Sequence, residues 1–192
     1  MSNTSIGALP AAQPDGRIAW VVRSGRKGKE TVDFNLRESM VTLGWGDWVA
    51  EVDVADHGSK EELDEYFEHN FSEFKRSKRR TARHKILRFR DQIREGDIVV
   101  LPLRNSATED AWIAIGEVTG PMERDPRHPE GAYLFRRVKW LQTAADESSA
   151  LPDLVGSIKQ SQPTVFRPRK AKHAAERLMH LAAHGTDPGV RP

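Results

Sequence analysis

One long, highly charged stretch divides this sequence into two groups of short apolar runs, and that order limits the folds open to the chain. The runs are rich in β-branched and aromatic residues and have the length of strands, whereas residues 59–94 carry helical spacing. Strands that do not alternate regularly with helices disfavour a doubly wound parallel sheet. We therefore predict an α/β (α+β) fold, a small curved mixed β-sheet or barrel of about five to six strands flanked by helices. The predicted strands are residues 17–23, 40–45, 97–103, 111–118, 133–140 and 164–166.

The charged stretch predicts a pair of helices. Ser59 followed by Glu62 is a capping-box pattern, because the hydroxyl and the carboxylate can each accept a bond from the backbone of the other residue. The first helix should run from there to about residue 70, and the second from about residue 72 to residue 94. Residues 119–131 contain three prolines and two glycines and predict a long loop. Shorter helices are predicted over residues 31–39, 154–160 and 171–184.

The chain of 192 residues suits one domain with tails. Residues 1–16 predict a flexible N-terminal tail, residues 17–168 the domain, and residues 169–192 a C-terminal helix and tail that could be a linker or a partner contact. The absence of cysteine excludes disulfides, thiolate metal sites and cysteine nucleophiles. Since the sequence shows neither a membrane-length apolar run nor a secretory signal, we expect a cytoplasmic protein without a membrane partner.

Common catalytic patterns are absent. There is no Gly-x-x-x-x-Gly-Lys-Ser/Thr loop, no dinucleotide-binding glycine pattern and no spacing that argues for a Ser–His–Asp triad. His180 and His184 stand one helical turn apart, but the glutamate of a zincin is missing, so we interpret them as a solvated helix tail. We therefore expect a protein that is not an enzyme, with no catalytic residue, no metal site and no cofactor.

Charge is segregated along the chain, although 30 basic and 28 acidic residues nearly cancel. Eight acids lie within residues 51–68, and seven bases lie within residues 75–85. Two interpretations stand equal on charge alone: a polyanion partner for the basic face, or a solvated helix face balanced by its acidic neighbour. The bases that would contact phosphates are Lys75, Arg76, Arg79, Arg80 and Arg83.

The five tryptophans fall into two groups. Trp20, Trp112 and Trp140 lie inside apolar strands and are predicted to pack in the core. Trp45 instead stands between two glycines at a strand end, and Trp48 follows in a loop. An exposed indole at a strand end is a candidate stacking platform for a base, and the alternative is a lid over the core.

Four segments follow one another in a characteristic order, namely residues 20–25, 41–46, 93–100 and 115–121 followed by 137–140. Their order resembles the PUA-like superfamily, specifically its EVE and YTH branch. Gly44-Trp45-Gly46 and the residues before it are similar to a motif of EVE-like domains in modification-dependent restriction systems. The resemblance implies a PUA-like fold and a domain that reads a modified base, flipped or single-stranded, in an aromatic cage.

The resemblance also implies roles for particular residues. Trp45 matches the cage tryptophan, and Gly46 matches the position whose backbone contacts the base edge. Ser24 matches a polar residue that hydrogen-bonds the base. Arg23 matches a phosphate contact, and Arg167 matches a second one near the end of the domain.

The sequence departs from the YTH pattern in the long loop, which here lacks a tryptophan. Tyr133, Phe135 or Trp48 would then close the cage, and Arg124 or His128 would contact the base edge or a phosphate. N6-methyladenine, 5-methylcytosine and 5-hydroxymethylcytosine all remain open as the base.

The leading hypothesis is a reader of a modified base in DNA, with a basic helix on the phosphates. The alternatives are a reader of modified or structured RNA, and the recognition module of a modification-dependent restriction nuclease with a nuclease partner or fused effector domain. By analogy the setting would be defence against phage DNA or regulation by methylation. A purely structural adaptor would show no affinity for nucleic acid.

Overall fold

The computed structural model describes residues 16–23, 29–43, 59–104, 111–125, 133–146, 149–150, 152–159, 164–168 and 171–190. These residues form six strands and five α-helices, and a π-helical turn, Arg88–Gln92, extends the third helix. In chain order the elements are β1 (Ala19–Val22), α1 (Lys29–Arg37), β2 (Met40–Thr42), α2 (Lys60–Asn70), α3 (Arg76–Leu87), β3 (Ile98–Arg104), β4 (Ala111–Asp125), β5 (Tyr133–Asp146), α4 (Pro152–Ile158), β6 (Val165–Phe166) and α5 (Ala174–His184).

The strands form one mixed sheet in the order β2-β5-β4-β3-β1-β6. β1 and β3 run parallel, and the other neighbouring pairs run antiparallel. The predicted mixed α/β class and the strand number are therefore confirmed. The sheet is open, because the described residues of β2 and β6 lie at its two edges and do not pair with each other.

Both faces of the sheet are covered. On β1, Trp20 and Val22 contact one hydrophobic core, and Ala19 and Val21 contact a second core on the opposite face. All four side chains are buried, which explains why the strand is a continuous apolar run instead of an alternating one. The prediction that Trp20 packs in the core is confirmed, since its exposed fraction is 1%.

Different helices cover the two faces. The first core, which includes Trp20, also contains Leu63 and Phe67 of α2 and Ile86 of α3. The second core instead contains apolar residues of α4 and α5. The predicted pair of helices in residues 59–94 thus covers one face of the sheet. The capping box is also confirmed, because Ser59 Oγ accepts from the Glu62 N–H at 3.0 Å and Glu62 Oε2 accepts from the Ser59 N–H at 2.9 Å.

The prediction of a loop over residues 119–131 is wrong for its first half. β4 continues to Asp125 and pairs with the start of β5. Pro121 is tolerated because the register shifts between Val118 and Met122, where a missing N–H does not break a regular ladder. Residues 126–132 lie outside the described residues.

The second predicted helix, residues 72–94, is shorter and less regular than expected. It begins at Arg76, and after Leu87 it widens into the π-helical turn. Buried Arg136 on β5 accounts for part of this change, since its guanidinium donates to the Phe89 and Arg90 carbonyls at 2.8 and 2.7 Å. The sequence pattern does not reveal the π-helical turn, because its hydrogen-bond donor, Arg136, lies more than forty residues further along the chain.

A charge network around the buried Arg177 side chain fixes the C-terminal segment to the second core. The Arg177 side chain, 1% exposed, donates two hydrogen bonds to Asp153 at 2.6 and 2.8 Å and two to Asp187 at 2.8 and 2.7 Å. These carboxylates raise the pKa of Arg177, and the hydrogen bond from Arg177 lowers the pKa of Asp153. The network joins α4, α5 and the turn that follows α5, in which Gly185 adopts φ +74°.

Gly116 on β4 lies close to Lys139 and Trp140 of β5, so a substitution there reports on the packing of these two strands. A Cβ atom at this position would lie 2.9 Å from Cε3 of Trp140 and 3.3 Å from the Lys139 carbonyl oxygen. We expect Gly116→Ala to lower the free energy of unfolding by about 1–3 kcal/mol, measured by urea denaturation. Gly120→Ala is the matched control on the same strand, since nothing lies within 4 Å of its Cβ. Equal stability of the two variants would contradict this account.

Candidate nucleic-acid interface

Arg79 links α2, α3 and the turn between them. Its Nη1 donates to the carbonyl oxygens of Ser72 and Phe74 at 3.1 and 2.6 Å, and its Nη2 donates to Glu68 Oε2 at 2.6 Å. The side chain is only 12% exposed. Arg79, one of the predicted phosphate-binding bases, thus stabilises the helix pair itself.

Arg83 makes the second ion pair between these helices. Its guanidinium donates to the carboxylate of Asp64 on α2, and the side chain is 19% exposed. The pairs Arg79–Glu68 and Arg83–Asp64 lie one helical turn apart on α3. For these two bases the acidic neighbour does balance the charge, as one of the two sequence interpretations expected.

Four other bases near the start of α3 remain exposed, namely Lys75, Arg76, Lys78 and Arg80. Within the described residues, neither Arg76 nor Arg80 forms an ion pair. Both line a cleft of about 240 Å³ between α2 and α3, together with the two ion pairs and Phe67. The cleft therefore has an ordered inner layer of paired arginines and an outer layer of exposed cations.

Further along α3 the positive charges act on one another. Burial and the neighbouring cations, Arg83 foremost, lower the pKa of His84. Burial, together with Arg88, lowers the pKa of Lys85 to about 8. Burial is the main cause of both shifts, and the neighbouring cations add to it by repulsion. An anion placed against this helix would relieve that repulsion.

Arg23 and Arg167 both lie next to β6. Arg23 Nη2 donates to the Ile158 carbonyl at 3.1 Å, and its guanidinium lies 5.3 Å from the centre of the Phe166 ring. The Arg167 guanidinium lies 4.5 Å from the Trp20 ring centre. The structure thus places both of these predicted phosphate contacts beside β6, and neither lines the cleft between α2 and α3.

The residues of the predicted cage fall mostly in segments that are not described. Ser24, Trp45, Gly46 and Trp48 lie outside the described residues, and of Tyr133 only the backbone is described, as the first residue of β5. The cage itself therefore stays a prediction.

The attachment point of the Gly44-Trp45-Gly46 segment is described. The Leu43 N–H donates to the Leu134 carbonyl at 2.8 Å, and Thr42 pairs with Phe135. Phe135 is buried, with 3% of its surface exposed. The residue before Gly44 is thus held firmly against β5.

Sequence reasoning missed a buried polar pair beside this attachment point. Asn35 on α1 donates from Nδ2 to Thr42 Oγ1 at 3.0 Å, and both side chains are fully buried. Polar groups away from water require such bonds. The sequence gave no sign of this hydrogen bond, because Asn35 lies on a helix and its partner, Thr42, lies on β2.

Comparison with known proteins places the chain in a family. A family model described as a domain of unknown function (DUF8426) matches residues 20–168. The chain belongs to this family. No curated protein and no solved structure matches it. The matched span begins at the second residue of β1, runs past β6 and ends before α5. Within the described part of the chain, no helix has the length and apolarity needed to cross a membrane.

The inner and outer arginines of α3 should respond differently to truncation. Arg79→Ala removes the bonds to the turn carbonyls and to Glu68, so we expect the free energy of unfolding to fall by about 1–2 kcal/mol. Arg76→Ala, the control at an exposed position on the same helix, should change it by less than about 0.5 kcal/mol. Thermal and urea unfolding measure the stability of both variants. Equal losses of stability would contradict the distinction between paired and exposed arginines.

Proposed function

We propose that this protein binds nucleic acid and reads a modified base in DNA, without catalysing a reaction itself. The observation that carries the proposal is the exposed basic edge of α3, whose inner arginines are held by ion pairs while Arg76 and Arg80 face outward. Such an edge suits the sequence-independent part of nucleic-acid binding, in which cations displace counterions from phosphates.

Preorganisation supports the phosphate role of this edge. Arg79 and Arg83 are fixed by α2, and the aromatic side chains of Phe67, Phe71 and Phe74 pack in the corner of the helix pair. Lys78 lies over the Phe74 ring, with Nζ 3.7 Å from its centre. A rigid support lets the exposed cations bind a phosphate with little loss of conformational freedom.

The base-reading part of the proposal rests on the sequence. Trp45 between two glycines offers a flat aromatic face, and stacking of a base on such a face contributes about 1–3 kcal/mol. Flipping a base out of a duplex costs a few kcal/mol, so further contacts must offset it. Ser24 and Gly46 would contact the base edge, and Trp48 or Tyr133 would close the cage. Phe135, being buried, would support it from behind.

Trp45→Ala should remove the discrimination between modified and unmodified DNA. The duplexes to compare carry no modification, N6-methyladenine, 5-methylcytosine or 5-hydroxymethylcytosine, and fluorescence anisotropy at two salt concentrations measures binding. We expect affinity for the preferred duplex to fall by about 1–3 kcal/mol, while salt-sensitive binding to unmodified DNA persists.

Trp112→Phe, a tryptophan expected in the core, is the control. A Trp45→Ala protein that kept full discrimination would rule out the cage assignment. Preference for a matched modified RNA strand would change the substrate class and leave the cage intact.

Neutralising the outer bases tests the phosphate role separately. For Arg76→Gln with Arg80→Gln, we expect weaker binding to all four duplexes alike and a log K against log salt slope that is shallower by about two. The control, Lys139→Gln with Lys172→Gln, removes the same charge from exposed positions elsewhere. Equal effects of the two double variants would show that net charge, and not this edge, governs binding.

A further inference from the structure

His84 lies in the same row of α3 as the two exposed arginines of the basic edge. Arg76, Arg80 and His84 follow one another at intervals of four residues. Side chains at this spacing are neighbours on a helix, with Cβ atoms about 5–6 Å apart. The His84 ring is half-buried, whereas both arginines are exposed. A chain of phosphates bound along the arginines would therefore reach the His84 ring next.

A hydrogen bond from Arg83 fixes the tautomer of the His84 ring. Nη2 of Arg83 lies 3.3 Å from Nε2 of His84. A guanidinium donates and does not accept, so Nε2 is the acceptor and the neutral ring carries its hydrogen on Nδ1. Arg83 is held in turn by its ion pair with Asp64 on α2. A proton added to Nε2 would replace this hydrogen bond by repulsion between two cations.

Positive charge surrounds His84 from both helices. The carboxylates that α2 contributes nearby are engaged, since Asp64 pairs with Arg83 and Glu61 Oε1 lies 3.9 Å from Lys60 Nζ. Burial first, and then these cations, lower the pKa of His84, so the ring is neutral near pH 7. Within the described residues, the cations that act on the ring are Lys60 of α2, Arg80 and Arg83 of α3, and Arg88 of the π-helical turn.

We propose that His84 is a further phosphate contact on α3, and that it takes up a proton when nucleic acid binds, so that binding strengthens as the pH falls. The inference rests on the proposed nucleic-acid function. A phosphate beside Arg80 and His84 would offset the local positive charge and accept a charge-assisted hydrogen bond from the imidazolium.

The direction of the pH effect follows from linkage. Bound phosphate favours the charged ring, so the pKa of His84 is higher in the complex than in the free protein. Affinity should therefore be constant at high pH and rise as the pH falls through the pKa of the bound ring. It should level off below the pKa of the free ring, where both states carry the proton.

Binding of the unmodified duplex at two pH values and constant ionic strength tests the inference. Wild-type affinity should be about tenfold higher at about pH 5.5 than at about pH 8. His84→Gln should lose most of this gain, because glutamine takes up no proton. The control is His69→Gln, which removes an exposed histidine from the last turn of α2 and should keep the full gain.

Two further measurements separate proton uptake from a structural role of His84. His84→Arg should bind tightly at both pH values, because a guanidinium keeps its charge. In wild-type protein, the pH dependence of the His84 ring resonances in NMR gives its pKa directly, and bound duplex should raise that pKa.

Three results would each overturn the inference while leaving the proposed function in place. They are equal wild-type affinity at both pH values, a full gain in His84→Gln, and a ring pKa that bound duplex leaves unchanged. Absence of duplex binding at both pH values would overturn the proposed function together with the inference. Circular dichroism establishes that the variants fold, and the NMR measurement on wild-type protein decides the matter should they not.

Discussion

The buried carboxylate of Asp97 joins the parts of the chain that the sheet must bring together. One oxygen accepts from the Ile18 N–H at 3.0 Å, and the other accepts from Trp20 Nε1 and from the Arg94 N–H, both at 2.9 Å. β1 and β3 are the parallel pair among the described strands, and they meet at Ala19 and Ile98, beside this carboxylate. Parallel strands need a long crossover connection. The hydrogen bonds of Asp97 fix the point at which that connection ends, where β3 begins beside β1. A buried charge without these donors would be costly.

The described segments between the two parallel strands belong to the crossover that this carboxylate closes. The crossover contains α1, β2 and the pair of α2 and α3, and the helix pair packs over Trp20 on one face. Arg136 then binds the carbonyls of the π-helical turn from β5, so both ends of the helix pair are held. The helix that carries the basic edge is consequently held on both sides, by α2 and by β5, which suits the proposed phosphate contacts.

Much of the fold could be predicted because local patterns determine it. The capping box begins α2, and the apolar run of residues 19–22 forms a strand buried on both faces. The extension of β4 could not be predicted, because Pro121 breaks a strand unless the register shifts beside it. The roles of Asp97 and Arg136 were equally hidden, since each depends on partners that are distant in sequence. In the candidate site the exposed bases were predicted, but their division into two layers was not.

The sequence by itself determined which residues are charged, where most of the strands and helices lie, and that bases follow acids along the chain. Only the tertiary structure decided which bases are neutralised. Arg79 and Arg83 meet acids 11 and 19 residues away, whereas Arg76 and Arg80 on the same helix face solvent. The physical reason is that ion pairing depends on the distance between charges in space and on exclusion of water, and neither is a property of spacing along the chain.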